Sequence, residues 1–420
     1  MSVGSESLFK WHRVQRFSKP VWAVLVGTLL TRTTFFMSWP FLIVILYQDF
    51  HASEITIGIM LAASTITGTL WGLYIGYLSD CFGRKWVMVA GSVCAMLSYG
   101  GIGIATELWQ FGLLIVGVGI ARPMIESPAK SVISDHLENK KDCELGLNLR
   151  YFLINAGGAI GPLIGITAAL SHPQGLFLLT SITYLGYGAV LFLTLPSQRH
   201  SSAFIDEQLP NFKATLSVIS RDGLFVKMMV ANFFLMFVYG QVDSSLQQVI
   251  VRSGLPDAAK LVAGLVMVNT ITVIVFQFPL LKLMERVPLF ARTRLGMVLV
   301  AVSQIGFLFS SAEWPMGWYL SAFILALGEV ITFPTLSVQI DRLAPAHLRG
   351  SYFGAAALYS LGFAAAPLVG GFLIHLGSAQ ALYGLCFVFC LMMIGLYWIA
   401  EHQPDPRNRN EVDDEWALDE

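Results

Sequence analysis

The chain has 420 residues, of which 55% are hydrophobic and only 13% are charged, and its mean hydropathy is +0.66. A water-soluble globule carries about a quarter of its residues as charges, so this composition excludes a soluble protein and points to one embedded in a membrane. The formal net charge is −1 and no nucleic-acid footprint appears.

Residues 1–20 carry Lys10, Arg13, Arg16 and Lys19 with Trp11 and Phe17 between them, and they lack the apolar core and small-residue site of a cleaved signal. They read as a basic flank that holds the N-terminus in the cytoplasm, within reach of anionic lipid. From Val21 onward twelve apolar segments follow, each near the ~20 residues that a membrane-spanning helix needs. They cover 21–47, 55–79, 86–105, 108–131, 147–170 and 175–195, then 224–251, 258–283, 294–312, 315–340, 350–375 and 378–399. The only long interior connection, 196–223, divides them into six-helix bundles at 21–195 and 224–399. Within it Phe212, Leu216 and Ile219 oppose Lys213 and Arg221, the pattern of a short helix lying on the membrane surface. The tail, 400–420, is acidic (Glu401, Asp405, Glu411, Asp413, Asp414, Glu415, Asp419, Glu420) and reads as a solvated cytoplasmic end.

Orientation follows from the 26 Lys and Arg residues. Arg252 and Lys260 fall after the seventh segment, Arg32, Arg122 and Lys130 fall inside spans, and the rest are assigned to the side shared by both termini. Cytoplasmic loops carry such an excess, so both ends are expected in the cytoplasm of a multi-pass protein of the cell (inner) membrane. Cys81, Cys94, Cys143, Cys386 and Cys390 show neither metal-ligand nor disulfide spacing. The eight histidines scatter over helix ends and loops, and no H-E-x-x-H, G-x-S-x-G or P-loop pattern occurs, so neither an enzyme nor a metal or cofactor site is expected.

The fourth segment is the most informative. Arg122, Glu126 and Lys130 are spaced i, i+4, i+8 and drift only about 40° per step, forming one polar stripe on a helix. Charges at bilayer depth are costly and normally face water or one another, so this face looks inward. The segment's end, Pro128 to Leu137, repeats as Pro334 to Leu343 in the pattern P-x-x-S-V-x-x-D-x-L. The chain is therefore read as two copies of one bundle.

Gly76-Tyr-Leu-Ser-Asp80-Cys-Phe-Gly83-Arg84-Lys85 lies in the turn between segments two and three and resembles the loop motif of the major facilitator superfamily, departing from it at Cys81. Segment five carries Gly157, Gly161, Pro162 and Gly165, and segment eleven carries Gly362, Pro367 and Gly370. Both runs are similar to the G-x-x-x-G-P-x-x-G-G signature of antiporters in that superfamily; close helix packing alone is the other reading. The usual helix-4 motif fits only at Gly117-Val-Gly119-Ile-Ala121, since Leu113 and Val116 stand where Arg and Gln belong.

The resemblance implies an all-α fold with twelve transmembrane helices in two pseudo-symmetric six-helix bundles. It also implies that Asp80 meets the start of helix 11 near Ser351 while Arg84 pairs with Asp135, as a cytoplasmic latch; an ordinary solvated turn is the alternative. The matching loop of the second half, Glu285 to Arg294, loses both glycines, so a second latch is expected to be weaker or absent.

The intramembrane charges are read as Arg32, Arg122, Glu126, Lys130, Asp243 and Glu329, all on helices 1, 4, 7 and 10, which line the cavity in the superfamily. Burial favours the neutral form of a carboxyl and an adjacent cation favours the charged form. Glu126, between Arg122 and Lys130, is expected to stay ionised in at least one state or to serve as a structural ion pair. Asp243 and Glu329, with no cation within a helical turn, are the first candidates for carrying a proton, and Arg32 is a partner for either. Phe36, Trp39, Tyr239, Gln241, Gln247, Asn269, Gln277, Phe333 and Tyr359 fill out the cavity list, with Trp39, Tyr239 and Gln241 foremost.

The expected function is secondary active transport, with protons entering as a small amphipathic molecule or drug leaves, by a monomer in the lipid bilayer. One alternative is a proton-coupled carrier of peptides, amino acids or a siderophore-like metabolite, because Arg150 to Gly157 is also similar to a peptide-transporter signature. The acidic helix-1 cluster of those carriers is missing around Arg32. A transporter-derived sensor is the other alternative.

Overall fold

A computed structural model describes residues 11–168, 173–197, 211–242, 244–252, 258–311, 314–376 and 379–402. The N-terminal ten residues, 198–210 of the connection, Asp243 and the acidic tail beyond 402 lie outside them.

The first half comprises α1 (Trp11–Gln15), α2 (Lys19–Gln48), α3 (Glu54–Phe82), α4 (Arg84–Ile104), α5 (Leu108–His136), α6 (Lys140–Ala168) and α7 (Pro173–Thr194). After α8 (Phe212–Arg221) the second half comprises α9 (Gly223–Gly240), α10 (Ser245–Arg252), α11 (Ala258–Leu283), α12 (Leu289–Phe309), α13 (Pro315–Leu343), α14 (Arg349–Ala356), α15 (Leu361–His375) and α16 (Ala379–Glu401). Polar caps set several starts: Ser53 accepts from the Thr56 amide, Asp222 from the Phe225 amide, and Glu107 with Gln110 forms a capping box on α5. Gly83, at φ 89°, lets the chain reverse between α3 and α4 where a side chain would be strained.

Eleven described helices or helix pairs are long and apolar enough to cross a membrane. The twelfth is α6, a helix of 29 residues that lies along α2. Helix contacts recur from one half to the other. In the first, α2 packs on α6 and α7, α4 on α5 and α7, and α3 on α5; in the second, α9 packs on α15 and α16, α12 on α13 and α16, and α11 on α13. The two bundles meet through α3 against α14 and, in mirrored fashion, α11 against α6.

Three departures from the sequence reading matter. In the span expected at 224–251, α9 ends at Gly240 and α10 begins at Ser245, and the span at 350–375 breaks into α14 and α15 at a 3₁₀ turn, Ala357–Ser360. Hydropathy averaged over a span does not register either break, because the few residues at each, polar Gln241 and Ser244 or Ala357 to Ser360, are outweighed by the apolar stretches on both sides. Helices α5 and α6 also run past the expected limits to His136 and back to Lys140, since hydropathy marks only the lipid-crossing part of a helix. Finally, α8 is held by more than a bilayer surface: Phe212 packs its ring on Tyr74 and Tyr77 of α3, with centroids 5.2 and 5.5 Å away.

The glycine runs bring backbones together. A Cβ on Gly157 would stand 2.9 Å from the Thr33 nitrogen and the Arg32 Cβ, and one on Gly161 would stand 2.5 Å from the Thr33 carbonyl oxygen, so α6 lies directly on α2 beside Arg32. Gly362 does the same for α15, with a Cβ 3.0 Å from the Phe237 nitrogen of α9. Gly161→Leu is expected to prevent this seating, seen as loss of the monodisperse peak in detergent size-exclusion chromatography. A normal peak with unchanged melting would mean that the two helices do not need this contact.

Candidate functional site

A cavity opens among α2, α4, α5, α6 and α7. Its wall holds Thr28, Thr31, Arg32 and Phe35 of α2, Ala95 and Tyr99 of α4, and Val118, Ala121, Arg122, Ile125 and Glu126 of α5. Arg150 of α6 and Tyr184 and Tyr187 of α7 complete it. Helix rise, about 1.5 Å per residue, puts Arg32 and Arg122 each about 20 Å from the charged ends of α2 and α5, close to the middle of the bundle. Glu126 is shared: it forms an ion pair with Arg32 across the helix contact, and Arg122 Nε donates to its Oε1 at 2.8 Å. Lys130 turns away from Glu126, with Nζ 5.5 Å from the centre of the Phe353 ring. The Tyr99 and Tyr184 rings stack at 5.3 Å.

Arg32 is thus paired with Glu126 rather than with Glu329. Asp243 lies outside the described residues, and Glu329 sits elsewhere, on α13 at the meeting of the two bundles. Glu329 is 5% exposed; Tyr151 Oη of α6 donates to its Oε1 at 2.8 Å and Asn269 Nδ2 of α11 to its Oε2 at 2.7 Å. Tyr239 stands next to this group, its ring edge-on to Phe333 at 5.0 Å. Trp39 stacks on Phe35 at 5.2 Å, one layer behind the cavity wall. Gln241 is a fastening: it is buried, and its Nε2 donates to the Ala366 carbonyl at 3.1 Å, tying the break after α9 to α15.

Arg150 is the residue that the sequence reading missed. It lies within the expected fifth span, yet was grouped with the loop cations, and the assignment of all buried charge to helices 1, 4, 7 and 10 fails on it. Its side chain enters the same cavity from α6. The signal was available in the sequence, because Arg150 falls one turn inside the apolar stretch that begins at Leu147.

At the end of the bundle that carries most Lys and Arg, here the basic end, ion pairs join the halves. Asp80 of α3 accepts from the backbone amides of Gly350 at 2.9 Å and Ser351 at 2.7 Å, and from the Ser351 hydroxyl at 2.6 Å. These amides belong to the N-terminus of α14, where unpaired N–H groups favour a carboxylate. Gly76 permits the approach, with a would-be Cβ 2.9 Å from the Gly354 Cα. Arg84 pairs with Asp80 and donates from Nε to Asp135 at 3.1 Å, and Arg349 reaches the other Asp135 oxygen at 3.0 Å. Lys85 stands apart, bonded to the Ser197 hydroxyl at 3.1 Å.

The second half holds a network where a weaker one was expected. Glu144 of α6, its side chain 5% exposed, accepts from Arg292 at 2.5 Å and Arg342 at 2.9 Å, and Lys141 reaches Glu285 at 3.4 Å. Arg292 also donates to the carbonyls of Val287 and Glu285, so cation and backbone replace the lost glycines. Arg13, expected only to flank the membrane, is buried and bonds Asp142 at 2.5 Å.

Twelve helices in two matching sets, with charge enclosed between them, define a polytopic membrane transporter. The profile of the Major Facilitator Superfamily matches residues 24–359, and the chain belongs to that family. It is 30% identical to the uncharacterised MFS-type transporter YqjV of Bacillus subtilis, over 93% of this chain and 94% of that protein. It is 24% identical to a Na(+), Li(+), K(+)/H(+) antiporter of Planococcus maritimus (92% and 98%) and 22% identical to multidrug resistance protein MdtH of Shigella sonnei (89% and 92%). Among solved structures, the human organic anion transporter MFSD10 superposes with a TM-score of 0.76 at 16% identity, covering 90% of this chain and 99% of that one.

Proposed function

We propose that the chain is a proton-coupled antiporter that exports small amphipathic molecules by alternating access, with both termini and the basic end in the cytoplasm of the bacterial inner membrane. The observation that carries this reading is Glu329, a buried carboxyl held between the halves by a phenol from one and an amide from the other. Both donors are neutral, so the carboxyl can take up a proton without breaking an ion pair with either. When the halves move apart at this level, Tyr151 leaves and Asn269 stays, so the carboxyl's environment differs between states. Names of relatives that include a cation/proton antiporter and a multidrug resistance protein support the direction of exchange.

In this reading Asp80, Arg84 and Asp135, with Gly76 and Gly83 shaping the turn, close the cytoplasmic side, and Glu144 with Arg292 closes its mirror. Glu126 with Arg32 and Arg122 belongs to the substrate cavity, and Lys130 stands beside Phe353 at its edge. Asp80→Asn removes a charge that four donors serve, each charge-assisted bond contributing about 1.5–3 kcal/mol. It is expected to lower transport about tenfold or more while the protein still reaches the membrane. Transport at the wild-type rate would remove Asp80 from the latch.

The reading as a whole is tested in proteoliposomes with a trapped pH dye and an imposed gradient. Substrate movement opposite to that of protons is expected. Movement in the same direction would mean symport, and binding without flux would mean a sensor.

A further inference from the structure

The cavity wall is unbalanced in charge. Arg32, Arg122 and Arg150 present three guanidinium groups to one carboxylate, Glu126, which two of them share. Lys130, less than two turns from the end of α5 at His136, turns to the Phe353 ring and is not part of this wall. An uncompensated cation in a membrane interior is costly, so a wall of this kind is stable when a counter-charge from solution enters it.

Two buried groups in this wall have donors with nothing to donate to. Arg150 is 6% exposed and its Nε has no hydrogen-bond partner; Tyr187 is 5% exposed and its hydroxyl has none. Buried donors in native proteins are nearly always satisfied, and the missing partner here would be an acceptor that the protein does not supply. Guanidinium forks match the planar oxygens of carboxylates and phosphates. Beside them Phe35, Ile125 and the stacked rings of Tyr99 and Tyr184 offer apolar surface that a hydrated inorganic ion does not use.

We propose that this cavity binds an organic anion, a carboxylate or phosphate group on a small apolar or aromatic body, with Arg150 and Tyr187 as its buried donors. The proposal rests on the transporter reading and names its substrate class. A free cation would meet three like charges, and the carboxylate that could attract it is already occupied by Arg32 and Arg122.

The test uses the purified full chain in detergent and probes matched in body but opposite in charge. Indole-3-acetate is compared with tryptamine, and benzoate and phenyl phosphate with benzylamine, by equilibrium dialysis of the tritiated compounds. Saturable binding of the anions is expected, with the amines weaker by about tenfold or more. Arg150→Gln should lower anion affinity about tenfold or more, and Arg150→Lys less. Should Arg150→Gln fail to fold, Tyr187→Phe, which removes one hydroxyl only, should cost about three- to tenfold.

Amines binding as tightly as anions, no saturable binding of any anion, or anion affinity unchanged in these variants would overturn the proposal. So would inorganic phosphate displacing the anions as well as phenyl phosphate does, because the apolar body would then contribute nothing. Parallel proteoliposome assays separate this from the antiport reading. Proton-driven export of amines without anion binding sinks the substrate class alone, whereas anion binding lost in Arg150→Gln with no flux of any probe sinks antiport alone.

Discussion

Glu329→Gln is expected to abolish substrate movement driven by a pH gradient while leaving substrate exchange without a gradient. The amide keeps the size of the side chain and can still accept from Tyr151 or Asn269, so packing on α13, 5% exposed at this position, is preserved. What it loses is the ability to take and release a proton. Tyr151→Phe, which removes only the bond from the opposite bundle, should retain gradient-driven movement at a lower rate. Inverted vesicles with an internal pH dye report both. Full gradient-driven transport by Glu329→Gln would move the proton site elsewhere, with Asp243→Asn as the next variant to measure.

Glu144→Gln should have the largest effect on conformation. It leaves Arg292, its side chain 5% exposed, buried without its counter-ion, and breaking such a pair costs about 3–5 kcal/mol. Arg342 is more exposed and adds little. Because the pair joins α6 to α12, the cost falls on the state in which the basic end is shut, displacing that equilibrium by about 10²–10⁴-fold. Paired spin labels on Lys140 and Arg286 should report a longer separation, and transport should fall with it. An unchanged distance distribution would show that Glu144 fixes the fold of one end without controlling its opening.

How far the fold was legible follows from the range of the signals involved. Twelve apolar stretches and the repeated P-x-x-S-V-x-x-D-x-L run are local patterns, and they suffice for the helix order and the likeness of the halves. The pairings of Arg84 with Asp135 and of Asp80 with the turn at Ser351 come from the resemblance of the loop motif, which carries long-range partners with it as spacing alone does not. Glu144 had no such guide: Arg292 and Arg342 lie far along the chain, and nothing near Glu144 in sequence points to them. The pairing of Arg32 with Glu126 is hidden for the same reason, since spacing along α5 accounts for Arg122 beside Glu126 but is silent about the approach of α2. Arg150 is hidden differently: it lies so close to the start of its apolar stretch that its position in sequence resembles that of a loop cation.

The 3₁₀ turn at Ala357–Ser360 has a mechanical consequence. The piece before it, α14, is clasped by α3 of the opposite bundle, whereas the piece after it, α15, is laid against α9 of its own. One polypeptide stretch thus serves two masters, and these four residues are the joint between them. If the bundles pivot, torsion concentrates in that joint, so its stiffness would govern how quickly the protein turns over whatever its cargo.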